Sequence, residues 1–276
     1  MSITVDVDHL KEHGFVLVED VVAKVEAAAV VDLLCDYLNV NPRSSIAGFK
    51  RRVGEVFNGI VPLHQHQALW DTRQSPKMHE AFRQVYDNHR LWVTVDRASY
   101  KPRLSDRANA KKGDPNSIHI DRPVLDTSSF AVQGALYLTD TPEDQGAWEY
   151  VPELYQQIKS GDVTSFDPRK DSLEGYEIKR VAGPAGSIVI WDGLMPHSSG
   201  HNWSDVPRFV QYITMHPEGD EATRDQRISD WRDRRAPPYW RSMPNQEDPE
   251  PWPEPARLTA LGEQLLGSRL WQQDAS

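Results

Sequence analysis

The feature that most constrains the fold is a train of short β-type runs that starts near residue 91. "LWVTVDRASY", "SIHIDRP", "FAVQGALYLTD", "AWEYVP", "YEIKRVAG", "SIVIWD" and "RFVQYITMHP" follow one another to about residue 217. Turn-forming stretches such as "KKGDPN", "TPEDQG" and "GPAGS" separate them. Helical patterns come earlier. "VDHLKEHG" is a short helix stopped by Gly14, and "FVLVED" after it is a strand. Residues 22–39 are rich in Ala and Leu and predict a helix. In "QSPKMHEAFRQVYD", Ser75 stands at an N-cap position and Pro76 at the first helical one, with Met78, Phe82 and Val85 at helical spacing. Helices first and many spaced strands later predict a β-sandwich or barrel with helices on one side. Residues 234–255, rich in Pro and Trp, predict an ordered wrap or lid, and "ARLTALGEQLLGSRL" a closing helix.

The chain has 276 residues, enough to bury a large core without disulfide staples. One domain is expected over 1–276, helical to about 90, β-rich over about 91–217, with a wrap and helix over 218–276. The net charge of −10 argues against a nucleic-acid partner. Cys35 is the single cysteine, so no intramolecular disulfide and no Cys-rich metal site can form. The start lacks a basic, apolar leader, and no apolar stretch approaches about 20 residues. The expectation is a cytoplasmic protein with no membrane partner and a small-molecule substrate.

The chemistry begins at "SIHIDRP". Residues i and i+2 of a strand point to one side, so His119 and Asp121 project together and can share a metal. A lone His-x-Asp is weak evidence, and a surface pair is the bland alternative. The second half comes from "GSIVIWDGLMPHSSGHNWSDVPRFVQYITMHP", where His197 sits in a loop beyond a strand. Arg208 opens the next strand, eleven residues later. Two antiparallel strands joined in this way would bring His197 and Arg208 to one mouth. Two His and one carboxylate leave open positions on a metal, the pattern of a non-heme Fe(II) oxygenase, with Zn2+ in a hydrolase as the rival and a non-catalytic small-molecule-binding module on the same fold as a second alternative, favoured by a broken triad. A hydrolase needs a general base, and Glu149 is the nearby candidate. An Arg favours the oxygenase, because a guanidinium is a two-pronged donor for a carboxylate such as the distal one of 2-oxoglutarate.

The ordered set "HLKEHGFVLVEDVV", "SIHIDRP", "VQGALYLTDTPEDQGAWEYVPELY", "GSIVIWDGLMPHSSGHN" and "RFVQYITMHP" resembles the phytanoyl-CoA dioxygenase family of Fe(II)/2-oxoglutarate oxygenases. It spans about residues 8–217. The resemblance implies a double-stranded β-helix, a jelly roll of the cupin-like kind. It implies His119, Asp121 and His197 as iron ligands, Arg208 on the distal carboxylate of 2-oxoglutarate, and Ser199 adding a hydroxyl to it. Gln133 and Ala135 would line the pocket. Better-known members often carry a large aromatic where Ala135 stands, and "QGAWEYVPELY" departs from their usual turn, so the substrate side differs here. Arg97 and Lys101 are candidates to meet the cosubstrate or an anionic substrate. The implied reaction consumes O2 and 2-oxoglutarate, hydroxylates an unactivated C–H bond, and releases succinate and CO2. Related halogenases lack the carboxylate that Asp121 supplies, so hydroxylation, or a desaturation or rearrangement, is the expected outcome.

Several residues have blander readings. His201 and His216 compete with His197, but only His197 stands eleven residues before Arg208. Arg208 could instead pair with Asp205 or Asp192 at the surface. His64 and His66 also have i, i+2 spacing, without a matching carboxylate, and are loop residues that could face the substrate. Arg51 and Arg52 would suit an anionic substrate. Trp191 is core, and "RDQRISDWRDRR" is a solvated helix face.

Overall fold

The computed structural model describes residues 3–40, 59–102, 118–124, 130–167, 170–242 and 246–272. The "KKGDPN" turn, Arg51 and Arg52 lie outside these residues. Along the chain run α1 (Val7–His13), β1 (Phe15–Val18), α2 (Lys24–Leu38), β2 (Ile60–Val61), α3 (Gln67–Arg73), α4 (Pro76–Tyr86), β3 (Leu91–Val93), β4 (Ala98–Lys101), β5 (Val132–Tyr137) and β6 (Trp148–Tyr150). Then follow α5 (Pro152–Ser160), β7 (Lys179–Val181), β8 (Ile188–Asp192), β9 (His197–Ser199), β10 (Arg208–Tyr212), β11 (Met215–Pro217), α6 (Glu221–Arg232) and α7 (Ala260–Leu266).

The strands form a jelly roll of antiparallel sheets with helices on its flank. The larger sheet has the order β1-β8-β5-β10-β4-β2, and a smaller one the order β7-β6-β9. A third pairing joins β11 to β3. The larger sheet is buried on both faces, which explains why its strands are apolar almost throughout. Alternation sorts the side chains. Leu136, Ile188, Ile190, Phe209, Ala98 and Tyr100 pack in one cluster with α2, α3 and α4. Ala135, Tyr137, Val189, Trp191 and Val210 pack in a second cluster with Trp148 and Tyr150 of the smaller sheet. The interior between the sheets is where a cavity opens.

Most sequence expectations agree with the fold. α1 ends where Gly14 adopts the left-handed conformation (φ 81°), which a glycine reaches without a Cβ penalty. A Cβ there would also fall 2.5 Å from the Tyr155 ring of α5. Residues 234–255 contain no helix or strand among those described, and α7 closes the chain as expected. Ser75 is the N-cap residue of α4 as expected, with Pro76 beginning the helix, and its hydroxyl donates to the Val21 carbonyl. Three expectations need correction. "SIHIDRP" is not a strand: His119 alone makes an antiparallel bridge, to His197, with both N–H···O contacts at 2.9 Å. His197 is not in a loop but opens β9. In α6, Arg227 turns inward and donates to the carbonyls of Val93, Leu265 and Leu266, so that helix is not solvated all round. No described helix is long and apolar enough to cross a membrane.

Candidate active site

His119, Asp121 and His197 converge on one cavity, with His197 buried, His119 half-buried and Asp121 exposed. Asp121 Oδ1 lies 3.5 Å from His119 Nε2, and Asp121 Oδ2 lies 3.5 Å from His197 Nε2. The imidazole rings are 4.7 Å apart, and the three donor atoms lie within 4.8 Å of one another. Metal–ligand bonds of about 2.1 Å place neighbouring donors roughly 3.0–3.4 Å apart, so this set fits one divalent cation with little adjustment. The bridge from His119 to β9 does the positioning, because it fixes the backbones of both His residues against each other.

The surroundings prepare the donors. His197 Nδ1 lies 2.8 Å from the Met195 carbonyl, so Nδ1 carries the proton and Nε2 offers its lone pair inward. Burial, and then the neighbouring His119, push the His197 imidazole below its ordinary value, which favours the neutral form that can ligate a metal. Gln133 Nε2 donates to Asp121 Oδ2 at 2.8 Å and holds that carboxylate. Trp191 and Trp148 wall the His197 ring at 4.9 and 6.3 Å between centroids.

A cavity of about 510 Å3 extends from this triad along β4, β5 and β10. Registration orders its lining. Lys101 faces Arg208, Ser99 faces Val210, and Val210 faces Tyr137. Arg208 is 3% exposed, donates to the Gly146 carbonyl (2.9 Å) and to Ser99 Oγ (3.2 Å), and leaves its buried Nε without a partner. No carboxylate pairs with it among the described residues. A buried guanidinium with an unused donor suits an anionic ligand. Tyr137 stands beside this end, its hydroxyl donating to the Val181 carbonyl and accepting from the Trp148 N–H, and burial pushes its phenol up to about 12.

The phytanoyl-CoA dioxygenase (PhyH) family model matches residues 10–210. The chain belongs to this family. A Dictyostelium discoideum protein named "Putative phytanoyl-CoA dioxygenase" is 24% identical, over 76% of this chain and 74% of its own length. The ectoine dioxygenase of Bordetella bronchiseptica is 25% identical, with the same shares covered. Among solved structures, the non-heme alpha ketoglutarate dependent carbocyclase SnoK from nogalamycin biosynthesis superposes with a TM-score of 0.52. It is 17% identical and covers 76% of this chain and 82% of its own, a likeness of fold.

The cavity brings together His119, Asp121, His197, Arg208, Ser199, Gln133, Ala135, Arg97 and Lys101. Lys101 is 4% exposed and donates to the carbonyls of Ser199 and Gly200. Other candidates fall elsewhere. His64 is fully buried outside the cavity, beneath Glu250 and Gln246, and His66 caps α3 and meets the Trp252 ring. His216 lies on β11, and His201 packs against Trp203. Asp192 accepts from Leu194 N and the Tyr155 hydroxyl, not from Arg208. Glu149 does not line the cavity, since its oxygens take Ser198 Oγ and Arg180 Nε. Trp191 packs in the core as expected but also lines the cavity. Sequence reasoning missed Trp240, which reaches the cavity from the Pro/Trp-rich wrap, and Tyr137, which continues the Gln133 and Ala135 alternation. The second was within reach of the i, i+2 rule.

Proposed function

We propose that the chain is an Fe(II)/2-oxoglutarate-dependent dioxygenase that hydroxylates an unactivated C–H bond of a small metabolite or natural-product intermediate. The balance is R–H + O2 + 2-oxoglutarate → R–OH + succinate + CO2. One observation carries the reading: a two-His, one-carboxylate set and a buried, carboxylate-free Arg208 share one cavity in a member of the phytanoyl-CoA dioxygenase family. The relation to an ectoine dioxygenase supports it.

His119, Asp121 and His197 would hold the iron, and three protein ligands would leave room for the cosubstrate and O2. Iron and 2-oxoglutarate supply the O2 activation and the two-electron oxidation that no side chain provides. The rest falls to the protein. Arg208 presents its guanidinium to the distal carboxylate, with Ser199 on β9 of the facing sheet. Met195 fixes the His197 tautomer, and Gln133 orients the Asp121 carboxylate. Trp148, Trp191 and Tyr137 give the cavity apolar walls that limit water. Asp121 fills the position that a halide would need, which favours oxygen transfer. The zinc-hydrolase reading loses its general base, because Glu149 is tied to Ser198 and Arg180 away from the cavity.

Succinate formation from 2-oxoglutarate in Fe(II)-loaded protein tests the proposal. Wild type should form succinate in an O2-dependent way, and Asp121→Ala should not. A folded wild type that yields no succinate above free Fe(II) would refute it.

A further inference from the structure

The cavity has a second end, lined by the ion pair of Arg97 and Asp96. Arg97 directly precedes β4, and its carbonyl accepts the Tyr212 N–H, so it stands opposite Tyr212 in the β10 register. Lys101 and Arg208 form the other end. Four residues of strand separate Arg97 from Lys101, about 13 Å along the sheet. A five-carbon diacid held between Arg208 and the His/Asp/His set does not span that distance as well. Across the sheet, β5 carries Gln133, which touches Asp121, and it lies two strand spacings from β4, about 10 Å.

Arg97 is built for a ligand at this place. Its guanidinium stacks on the Trp240 ring, 3.4 Å from the centroid, with the Tyr212 ring at 5.6 Å. Asp96 Oδ1 takes Nη1 at 2.9 Å and the Arg97 backbone N–H at 2.8 Å, which fixes the fork. Arg97 Nε is buried without a hydrogen-bond partner, and so is Trp240 Nε1 beside it. Both are donors, and Arg97, Trp240 and Tyr212 all line the cavity. Two buried donors without acceptors cost free energy unless a ligand oxygen satisfies them. The aromatic faces add a planar sleeve that pre-organises the guanidinium.

We propose that Arg97, held on Trp240, anchors a carboxylate of the primary substrate, so that the enzyme oxidises small carboxylic acids at a carbon several bonds from that group. This deepens the proposed function and rests on its assignment of the Arg208 end to 2-oxoglutarate. The carboxylate docks at Arg97, the chain of the substrate crosses Tyr212 and Ala135, and the reacting carbon arrives beside Asp121 and Gln133. The wrap residue Trp240 thereby sets specificity, although it lies far from every metal-binding motif in sequence.

The test uses metal-free protein, so it does not depend on iron or turnover. Pentanoate, cyclohexanecarboxylate and benzoate are titrated against their primary amides, followed by tryptophan fluorescence and ligand-observed NMR. Arg208→Met closes the cosubstrate end in a parallel arm. The proposal expects at least one acid to bind wild type and Arg208→Met alike, and about tenfold tighter than its amide. Arg97→Gln should abolish the preference for acid over amide while 2-oxoglutarate affinity changes less than threefold. Arg97→Lys, which keeps the charge but loses the planar stack, should retain part of the preference and guards against a folding defect. The proposal is overturned if no acid binds, if acids and amides bind equally, or if the preference survives in Arg97→Gln. It is overturned equally if the preference vanishes in Arg208→Met, because the acids would then occupy the cosubstrate end. Failure of the oxygenase reading shows separately, as absent succinate formation with acid binding intact.

Discussion

Replacing Gln133 with Leu removes one hydrogen bond and little volume, and it isolates how the Asp121 carboxylate is held. Gln133 Nε2 donates to Asp121 Oδ2 at 2.8 Å, the same oxygen that faces His197 Nε2 at 3.5 Å. A hydrogen bond to a charged group contributes about 1.5–3 kcal/mol. The Asp121 side chain is 39% exposed, so water replaces part of the loss and the lower end applies. About 1.4 kcal/mol corresponds to a tenfold change, in line with the roughly 10–100-fold effect of partners that orient metal ligands. Gln133→Leu should therefore weaken divalent-metal affinity about tenfold with no large change in melting temperature. Anaerobic Fe(II) titration followed by tryptophan fluorescence reads this directly, because the Trp191 ring lies 4.9 Å from that of His197. A dissociation constant within twofold of wild type would refute the orienting role. A loss beyond a thousandfold in folded protein would refute it in the other direction, by making Gln133 a ligand itself.

Three further outcomes follow from the same geometry. Arg208→Met should raise the KM for 2-oxoglutarate at least about 30-fold, since truncating one partner of a buried charge pair costs about 2 kcal/mol or more; steady-state kinetics in 2-oxoglutarate would show it. Glu250 accepts from His64 N, Gln65 N and Trp252 Nε1, yet burial pushes its carboxyl up from 4.5 to about 7. The folded state thus holds this proton more tightly than the unfolded chain. Its contribution is fully present below about pH 4.5 and is lost as pH rises through about 7, a change on the order of 3 kcal/mol. Urea unfolding at pH 5 and pH 8 should show wild type losing stability relative to Glu250→Gln between the two. Cys35 is 6% exposed, and burial, then Asp32, pushes its thiol up to about 12, so the native protein should resist a thiol reagent at pH 8 that labels the denatured chain once.

The fold was legible where a physical rule acts locally. Gly14 stops α1 because only a residue without a Cβ fits its backbone and the Tyr155 ring beside it. Strands β5, β8 and β10 were legible because a sheet buried on both faces leaves an apolar run between turns. His119 and Asp121 do point into one cavity, but not through a regular strand. Pro123 follows closely and lacks an N–H, and pairing is limited to the bridge from His119 to His197. The eleven-residue interval from His197 to Arg208 was informative for a different reason from the one expected. β9 and β10 do not pair with each other; they belong to facing sheets, and the cavity between the sheets unites their side chains. His64 looked like a pocket residue because its burial depends on Glu250, 186 positions away. Trp240 was illegible for the same reason: its partner Arg97 is remote in sequence, and irregular backbone carries no periodicity to reveal a facing side.

If His119, Asp121 and His197 hold Fe(II) while Arg208 secures 2-oxoglutarate beside it, metal and cosubstrate should form one chromophore. The most direct measurement is an anaerobic titration of 2-oxoglutarate into Fe(II)-loaded protein, following the visible metal-to-ligand charge-transfer band. A saturable band should form in wild type, disappear in His119→Ala, and appear in Arg208→Met only at much higher 2-oxoglutarate. A folded, Fe(II)-binding wild type that shows no band, or a band unaffected by either substitution, would contradict it.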